Sequence, residues 1–236
     1  GDGLHEPPPA HRVPSSKMRR RNPKQFSIRQ RGNYPALLAR LLPRADVRNF
    51  GHGGATACQG GNPPYGQVRE YRAALRFKPH VIVLMLGTND AKGPLWRGSC
   101  SDPSRSLSRG LSAIVDAFFE SESPPQLLLL LQPPPILRRR IFGIERALLP
   151  DVRQVIAKVA IEQQQQHAGR RRVALAPPLP ADGLDETFFT ADRLHLNANG
   201  SAVLACAAHD ALHQVAAAAA PTLRRAIAGA SRLPAA

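Results

Sequence analysis

Four short stretches hold most of the side chains able to do acid–base or electrostatic chemistry. They are Gly1-Asp2-Gly3-Leu4-His5, Asn49-Phe50-Gly51-His52-Gly53-Gly54-Ala55-Thr56, Gly87-Thr88-Asn89-Asp90 and Asp192-Arg193-Leu194-His195-Leu196-Asn197. His195 is the candidate general base. Asp192, three residues earlier, can fold back in a tight turn, accept the ring N–H and stabilise the imidazolium. Asn89 stands where its side-chain amide can point into a cleft, and Gly54 offers a backbone N–H with no side chain in the way. Such donors form an oxyanion hole, each typically worth ~3–4 kcal/mol of barrier. Taken singly, each stretch also fits a plainer reading: a capped turn at Asp192, a strand end at Asn89-Asp90, a tight turn at Gly51–Gly54.

These residues need a scaffold, and apolar periodicity supplies one. Leu37, Leu38, Leu41 and Leu42 recur at helical spacing after Pro35. Val47–Phe50 reads as a short strand before a Gly-rich turn. Val68, Tyr71 and Leu75 mark a helix face. Val81–Leu86 and Leu127–Leu131 are continuous apolar runs, the pattern of strands buried on both faces. Leu107, Leu111, Ile114, Val115 and Phe118 predict one helix, and Val152, Val155, Ile156 and Val159 another. Val173–Ala176 reads as a last strand. Residues 199–218 read as a final Ala-rich helix with Asn197 and Asn199 as candidate caps. Alternating strands and helices predict a parallel sheet covered on both faces, a three-layer α/β/α sandwich. Right-handed crossovers put the carboxyl ends of the strands on one rim, where ligands of open α/β folds bind.

Composition narrows the partners. The chain has 236 residues, 32 basic and 17 acidic side chains and a net charge of +15. Only five of the basic residues are Lys. Arg triplets at Arg19–Arg21, Arg138–Arg140 and Arg170–Arg172 suit adhesion to polyanions. Aromatic residues are only 5%, however, and none interleaves with the triplets, which argues against specific nucleic-acid binding. The longest apolar runs, such as Leu127–Leu131 and Val215–Ala220, fall far short of the ~18 residues of a membrane span. Cys58, Cys100 and Cys206 form no metal or disulfide pattern. No metal or cofactor is expected. Compartment and oligomeric state stay open.

Taken together and in order, the four stretches resemble the four blocks of the SGNH (GDSL-type) hydrolase family. Tyr34-Pro35-Ala36-Leu37-Leu38 and Tyr71-Arg72-Ala73-Ala74-Leu75 are similar to segments of its acetylesterase-like branch. The resemblance spans residues 34–210 plus the first two to five. It implies a flavodoxin-like parallel sheet and acyl transfer, with hydrolysis of carboxylic or carbohydrate O-acetyl esters. It implies His195 as base and acid, Asp192 as its orienting partner, and Gly54, Asn89 and the Gly3 N–H as the oxyanion hole. A small ester or acetylated carbohydrate is the implied partner.

Three departures qualify this. The family's first block has a nucleophilic serine after Gly-Asp, and here that position holds Gly3, so no nucleophile is assigned. In one well-studied protease, loss of the serine costs about a millionfold in turnover. Ser15, Ser16, Ser27 and Thr56 are other hydroxyls, but none stands where the resemblance puts a nucleophile. Second, the family's apolar first strand, inside a sheet of order 2-1-3-4-5, does not precede the block in this sequence, so either the chain is a fragment or another segment fills the gap, for which Gln25–Ile28 is a poor candidate. Third, residues 3–33 carry eight basic residues without periodicity and read as a damaged or mis-joined N-terminus. The expected organisation is a basic, disordered segment 1–33 holding a degenerate first block, an SGNH-like domain 34–218, and a tail 219–236. The readings are therefore an impaired ester hydrolase, an inactive relative that binds an acylated sugar or ester, or a basic nucleic-acid-adhering protein. His52 reads as a rim residue with a local hydrogen bond or an acyl-pocket lining. Trp96 reads as core packing rather than a stacking platform.

Overall fold

A parallel three-stranded sheet, β1 (Val81–Met85), β2 (Leu127–Leu131) and β5 (Arg172–Leu175), runs through the molecule in that order. The computed structural model describes residues 32–61, 63–97, 102–168, 172–179 and 183–217. In register, Val81 faces Leu127 and Met85 faces Leu131, while Leu127 faces Arg172 on the other side. The last strand thus begins one residue before the predicted Val173 and ends at Leu175. Two further two-residue strands, β3 (Arg140–Ile141) and β4 (Ile144–Glu145), form a small antiparallel hairpin.

Local chemistry sets the helices. In α1 (Tyr34–Leu41) the Asn33 side chain accepts the Ala36 N–H at 3.0 Å, and Pro35 occupies the first turn. α2 (Arg69–Phe77) ends where Lys78 turns left-handed at φ +53°. α3 (Gly93–Arg97) is a single short turn. Asp102 caps α4 (Pro103–Phe119) through the Arg105 N–H at 2.8 Å. α5 (Leu149–Gln166) and α6 (Ala198–Ala217) complete the set. Asn197 caps α6, accepting from the Asn199 and Gly200 N–H groups at 2.9 and 3.1 Å. Asn199, the other candidate cap, lies in the helix's first turn.

The sheet separates two apolar layers. Leu128 and Leu130 face a cluster that includes Val68, Leu107, Val115, Val152 and Ile156, with α2, α4 and α5 on that side. Leu127, Leu129 and Leu131 face Leu38, Leu204, Ala208 and Leu212 of α1 and α6. This is the expected α/β/α sandwich, and the strand period of two explains why adjacent leucines serve opposite layers.

One expected strand is not there. Val47–Phe50 takes part in no strand pairing among the described residues. Strand pairing needs a neighbour at ~4.8 Å. β1, the nearest strand in the sheet order, pairs on one side with β2, and no described strand pairs with its other side. Residues 1–31, which include Gly3, His5, the other hydroxyl candidates Ser15, Ser16 and Ser27, and Gln25–Ile28, lie outside the described residues, as do Cys100, most of the triplet Arg170–Arg172 and the tail beyond Ala217.

Candidate active site

The Asp192–His195 turn is tied by several short bonds. The Asp192 carboxylate accepts from the Leu194 and His195 backbone N–H groups, both at 2.9 Å, and from the Thr190 hydroxyl at 2.7 Å. Arg193 takes φ +59°, and the Thr190 N–H bonds the His195 carbonyl at 2.8 Å, closing the loop. The other carboxylate oxygen lies 2.6 Å from His195 Nδ1. An ionised carboxylate only accepts, so Nδ1 carries the hydrogen and Nε2 is the basic nitrogen. Burial pushes the Asp192 carboxyl up, but the hydrogen bonds from His195, Leu194 and Thr190 outweigh it and hold it well below the usual carboxylate range. Asp192 thus stays ionised at neutral pH and well into the acid range. Thr190 is missed by sequence reasoning; a hydroxyl two residues before a site aspartate is the signal that could have found it.

Asn89 opens the turn that follows β1. Gly54 sits in the loop between Phe50 and Thr56 at φ +82°. A Cβ there would meet nothing within 4 Å, so the backbone angle rather than space makes glycine the suitable residue. The two loops are bolted together by a residue that sequence reasoning passed over as a strand terminator. Asp90 is buried and accepts the Ala57 and Cys58 N–H groups at 3.1 and 2.7 Å. Burial pushes its carboxyl up despite those bonds. The same loop rests on α4 at Gly110, where a Cβ would collide with the Ala57 carbonyl oxygen.

His195, Asn89 and Gly54 all line one cavity of about 1010 Å³, together with His52, Gly87, Thr88 and Pro134. His52 both lines it and makes a local bond, its Nδ1 lying 3.0 Å from Glu70. Thr56 is fully buried and bonds the Cys58 carbonyl at 2.9 Å, so its hydroxyl faces away from the cleft chemistry. Trp96 packs against the core and donates to the Asp90 carbonyl at 2.8 Å. Cys58 is buried 2.9 Å from the Ser106 hydroxyl, and Cys206 is exposed. Among the described residues, no group of three or more His, Cys, Asp or Glu side chains could hold a metal ion, and no helix is long and apolar enough to cross a membrane.

The cavity is far larger than an acetyl ester needs. Beyond the rim it continues along the whole open side of β1, from Lys78-Pro79-His80 to Leu86. Residues 44–50, Leu38, Leu204, Leu212, Ala74, Phe77 and Phe118 also line it.

The chain is similar to known proteins. The family model of the GDSL-like lipase/acylhydrolases aligns with residues 23–203. An acetylxylan esterase from Xylanibacter ruminicola is 39% identical over 73 residues, which is 30% of this chain and only 15% of that protein's length. Among solved structures, a carbohydrate esterase of family 3 from Talaromyces cellulolyticus superposes with TM-score 0.52 at 19% identity, covering 72% of each chain. An acetylxylan esterase from Geobacillus stearothermophilus gives TM-score 0.52 at 18% identity over 75% of this chain and 80% of that one. An M. smegmatis aryl esterase gives 0.54 at 17% identity, covering 78% and 85%. At these identities the superpositions establish the fold, while the family model covers most of the chain: it belongs to the GDSL-like lipase/acylhydrolase, or SGNH hydrolase, family.

Proposed function

We propose that this chain carries the base and the oxyanion donors of an ester-hydrolase site, and that turnover is impaired because Gly3 stands at the nucleophile position. His195 is the base and acid, Asp192 orients it, and the Gly54 N–H, the Asn89 amide and the Gly3 N–H receive the oxyanion. The substrate class is a small ester or an O-acetylated carbohydrate, in keeping with the named activities of the similar esterases. The observation that supports the reading best is the 2.6 Å His195–Asp192 contact beside a cavity that Gly54 and Asn89 also line.

With a serine in place, its oxygen attacks the acyl carbon and its proton passes to His195 Nε2 and on to the departing alcohol. Water then repeats the sequence on the acyl-enzyme. Without the hydroxyl, only water can attack the ester directly. His195 takes the proton of that water, the acyl C–O bond breaks, and the proton leaves with the alcohol. A base acting on water alone forgoes most of the family's rate advantage.

The test is hydrolysis of an aryl acetate by the chain, by Gly3→Ser, and by Gly3→Ser with His195→Ala. The chain should sit near background. The serine should raise the rate by roughly a hundredfold or more, within the millionfold that such a residue can carry. His195→Ala should abolish the gain. A folded Gly3→Ser variant with no gain would sink the reading and leave binding without turnover in its place.

A further inference from the structure

The β3–β4 hairpin ends in a residue that its turn does not favour. Ile141 faces Ile144, so Phe142 and Gly143 form a two-residue loop, and they take φ +51° and +80°. Two successive left-handed residues make the tight turn in which Asn-Gly or Gly-Gly is usual, because a bulky side chain crowds its own backbone there. Phe142 gains no packing in return. It is 68% exposed, the most exposed large hydrophobic side chain among the described residues, and it belongs to neither apolar layer. The turn is held from its base instead, by buried Ile144, its bridge to Lys92 and the 2.9 Å bond from the Gly93 N–H to the Gly143 carbonyl. An aromatic side chain kept in a strained backbone and facing solvent points to a contact made outside the chain.

Charge around the tip is unbalanced. Residues 136–148 contain four arginines and one acid, Glu145. That acid is already taken, by Arg97 at 2.9 and 2.6 Å and by Arg140 at 3.5 Å. Arg146 donates to the Leu137 carbonyl at 3.1 Å. Arg138 and Arg139 are exposed and make no side-chain hydrogen bond or ion pair with any described residue; Arg139 acts on Glu145 only at longer range. Neighbouring guanidinium groups repel one another, and an anion at the tip removes that repulsion. The planar donors of Arg suit a carboxylate, which they bind through paired N–H groups.

The place of the hairpin narrows the partner. Pro134, on the segment leading into it, lines the cavity together with His195. The Leu137 N–H bonds the Arg193 carbonyl at 3.2 Å, two residues before His195. Lys92 and Gly93, which hold the turn, directly follow the Asn89–Ala91 turn. The tip thus stands on a base fastened to both rim turns. A sugar polymer with one acetyl group in the cleft leaves it over that rim. A pyranose offers a C–H face to a single aromatic ring. A carboxylated sugar also supplies the anion that Arg138 and Arg139 lack. A nucleic-acid strand calls for several aromatic rings to stack successive bases, and a membrane surface for a wider apolar face than one phenyl group.

We infer that the β3–β4 hairpin is a subsite for a uronic-acid-bearing polysaccharide. The Phe142 ring stacks on a sugar, and Arg138 and Arg139 hold a carboxylate of the same chain, beside the cleft. The inference deepens the ester-hydrolase reading and rests on it for the acetyl group; the binding itself needs no turnover.

The full chain is titrated by calorimetry with an unacetylated oligogalacturonate, its carboxyl-reduced neutral counterpart, a short single-stranded DNA and phosphatidylserine vesicles. The oligogalacturonate should bind saturably, and the neutral sugar roughly tenfold more weakly or worse. Phe142→Asn should weaken uronate binding by roughly fivefold or more. The same variant should leave the thermal midpoint unchanged or raise it, because asparagine accepts a positive φ. Arg138→Gln with Arg139→Gln should weaken binding at least as much. Arg72→Gln with Arg76→Gln removes equal charge from exposed positions of α2 and should change it less than about twofold. Several results overturn the inference: no saturable binding, equal binding of the neutral sugar, or unchanged affinity in Phe142→Asn. A lower midpoint in Phe142→Asn would make Phe142 a packing residue, and equal weakening by the α2 pair would mean mere adhesion of a basic chain. Tighter binding of DNA or vesicles, lost in Phe142→Asn, would assign the hairpin to that partner instead. The probe carries no ester and the chain keeps Gly3, so failure here leaves the aryl acetate test untouched, and an inactive Gly3→Ser variant leaves the binding result standing.

Discussion

β1 and β2 are neighbours in one sheet, each five apolar residues long, and they differ in what surrounds them. Every residue of β2 is buried, because strands flank it on both sides and helices cover both faces. β1 has the same covering layers and, among the described residues, one strand neighbour fewer, and four of its residues are only half-buried. Side-chain type is therefore not what decides burial here. A parallel strand is enclosed only when its edges are covered as well as its faces.

Met85 and Leu131 make the sharpest version of this contrast, since they are register partners facing the same layer. Leu131→Ala should cost ~2–5 kcal/mol, as for a close-packed core position. Met85→Ala removes a similar volume beside an existing cavity and should cost less than about 2 kcal/mol. Urea denaturation of the two variants checks this. Equal losses would mean that the open side of β1 is as well packed as the closed one.

A second contrast lies along the rim. The His195 turn is tied mostly by bonds within residues 190–195, with the Leu137 N–H reaching the Arg193 carbonyl at 3.2 Å from outside. The Gly54 loop depends on a distant residue, Asp90, more than thirty positions away in the chain. Asp90→Ala strands two buried N–H groups and should cost roughly 2–4 kcal/mol. In the Gly3→Ser background it should also lower aryl acetate hydrolysis by moving Gly54 relative to Asn89. An unchanged urea midpoint would show that the two loops hold their places independently.

The sequence made the long elements legible and hid the short ones, for physical reasons. Leu127–Leu131, the α4 face from Leu107 to Phe118 and the α5 face from Val152 to Val159 carry enough apolar repetition to announce themselves. Val47–Phe50 has strand-like residues, but pairing is a property of two segments and cannot be seen in one. The β3–β4 hairpin was unreadable because its strands are two residues long and Arg138–Arg140 looks like a solvated run. Its hold comes from elsewhere: Ile144 is buried and bridges to Lys92, and the Gly93 N–H reaches the Gly143 carbonyl at 2.9 Å. At the candidate site, Asp192 and His195 were legible because they are three residues apart. Asp90 was not, since its partners at Ala57 and Cys58 are backbone groups, which leave no trace in side-chain identity.

The two rim aspartates also titrate in opposite directions. Asp192 is held low in the folded chain, so its contribution is fully present above its unfolded value of ~3.9 and is lost as pH falls below that. Asp90 is held high, so its ionisation opposes folding as pH rises through the same region. Unfolding free energy measured by urea from neutral pH down to pH ~3 should decline more steeply below pH ~4 in the chain than in Asp192→Asn. Identical slopes would mean that the His195 turn persists in the unfolded ensemble or contributes nothing to stability.

The smallest effect is expected where charge looks most prominent. Arg97 Nη1 and Nη2 meet the Glu145 carboxylate at 2.9 and 2.6 Å, and Arg140 lies 3.5 Å from the same group. Arg97 is more than half exposed, so water and salt screen the attraction, and two long side chains lose rotamer freedom to make it. The hairpin that carries Glu145 is meanwhile anchored by backbone bonds at Gly93 and by buried Ile144, neither of which involves charge. Arg97→Ala should therefore leave the urea midpoint nearly unchanged, and the small difference that remains should vanish in high salt. A large loss would instead make this ion pair, and not the packing of Ile144, the element that holds the hairpin against the turn after Asn89.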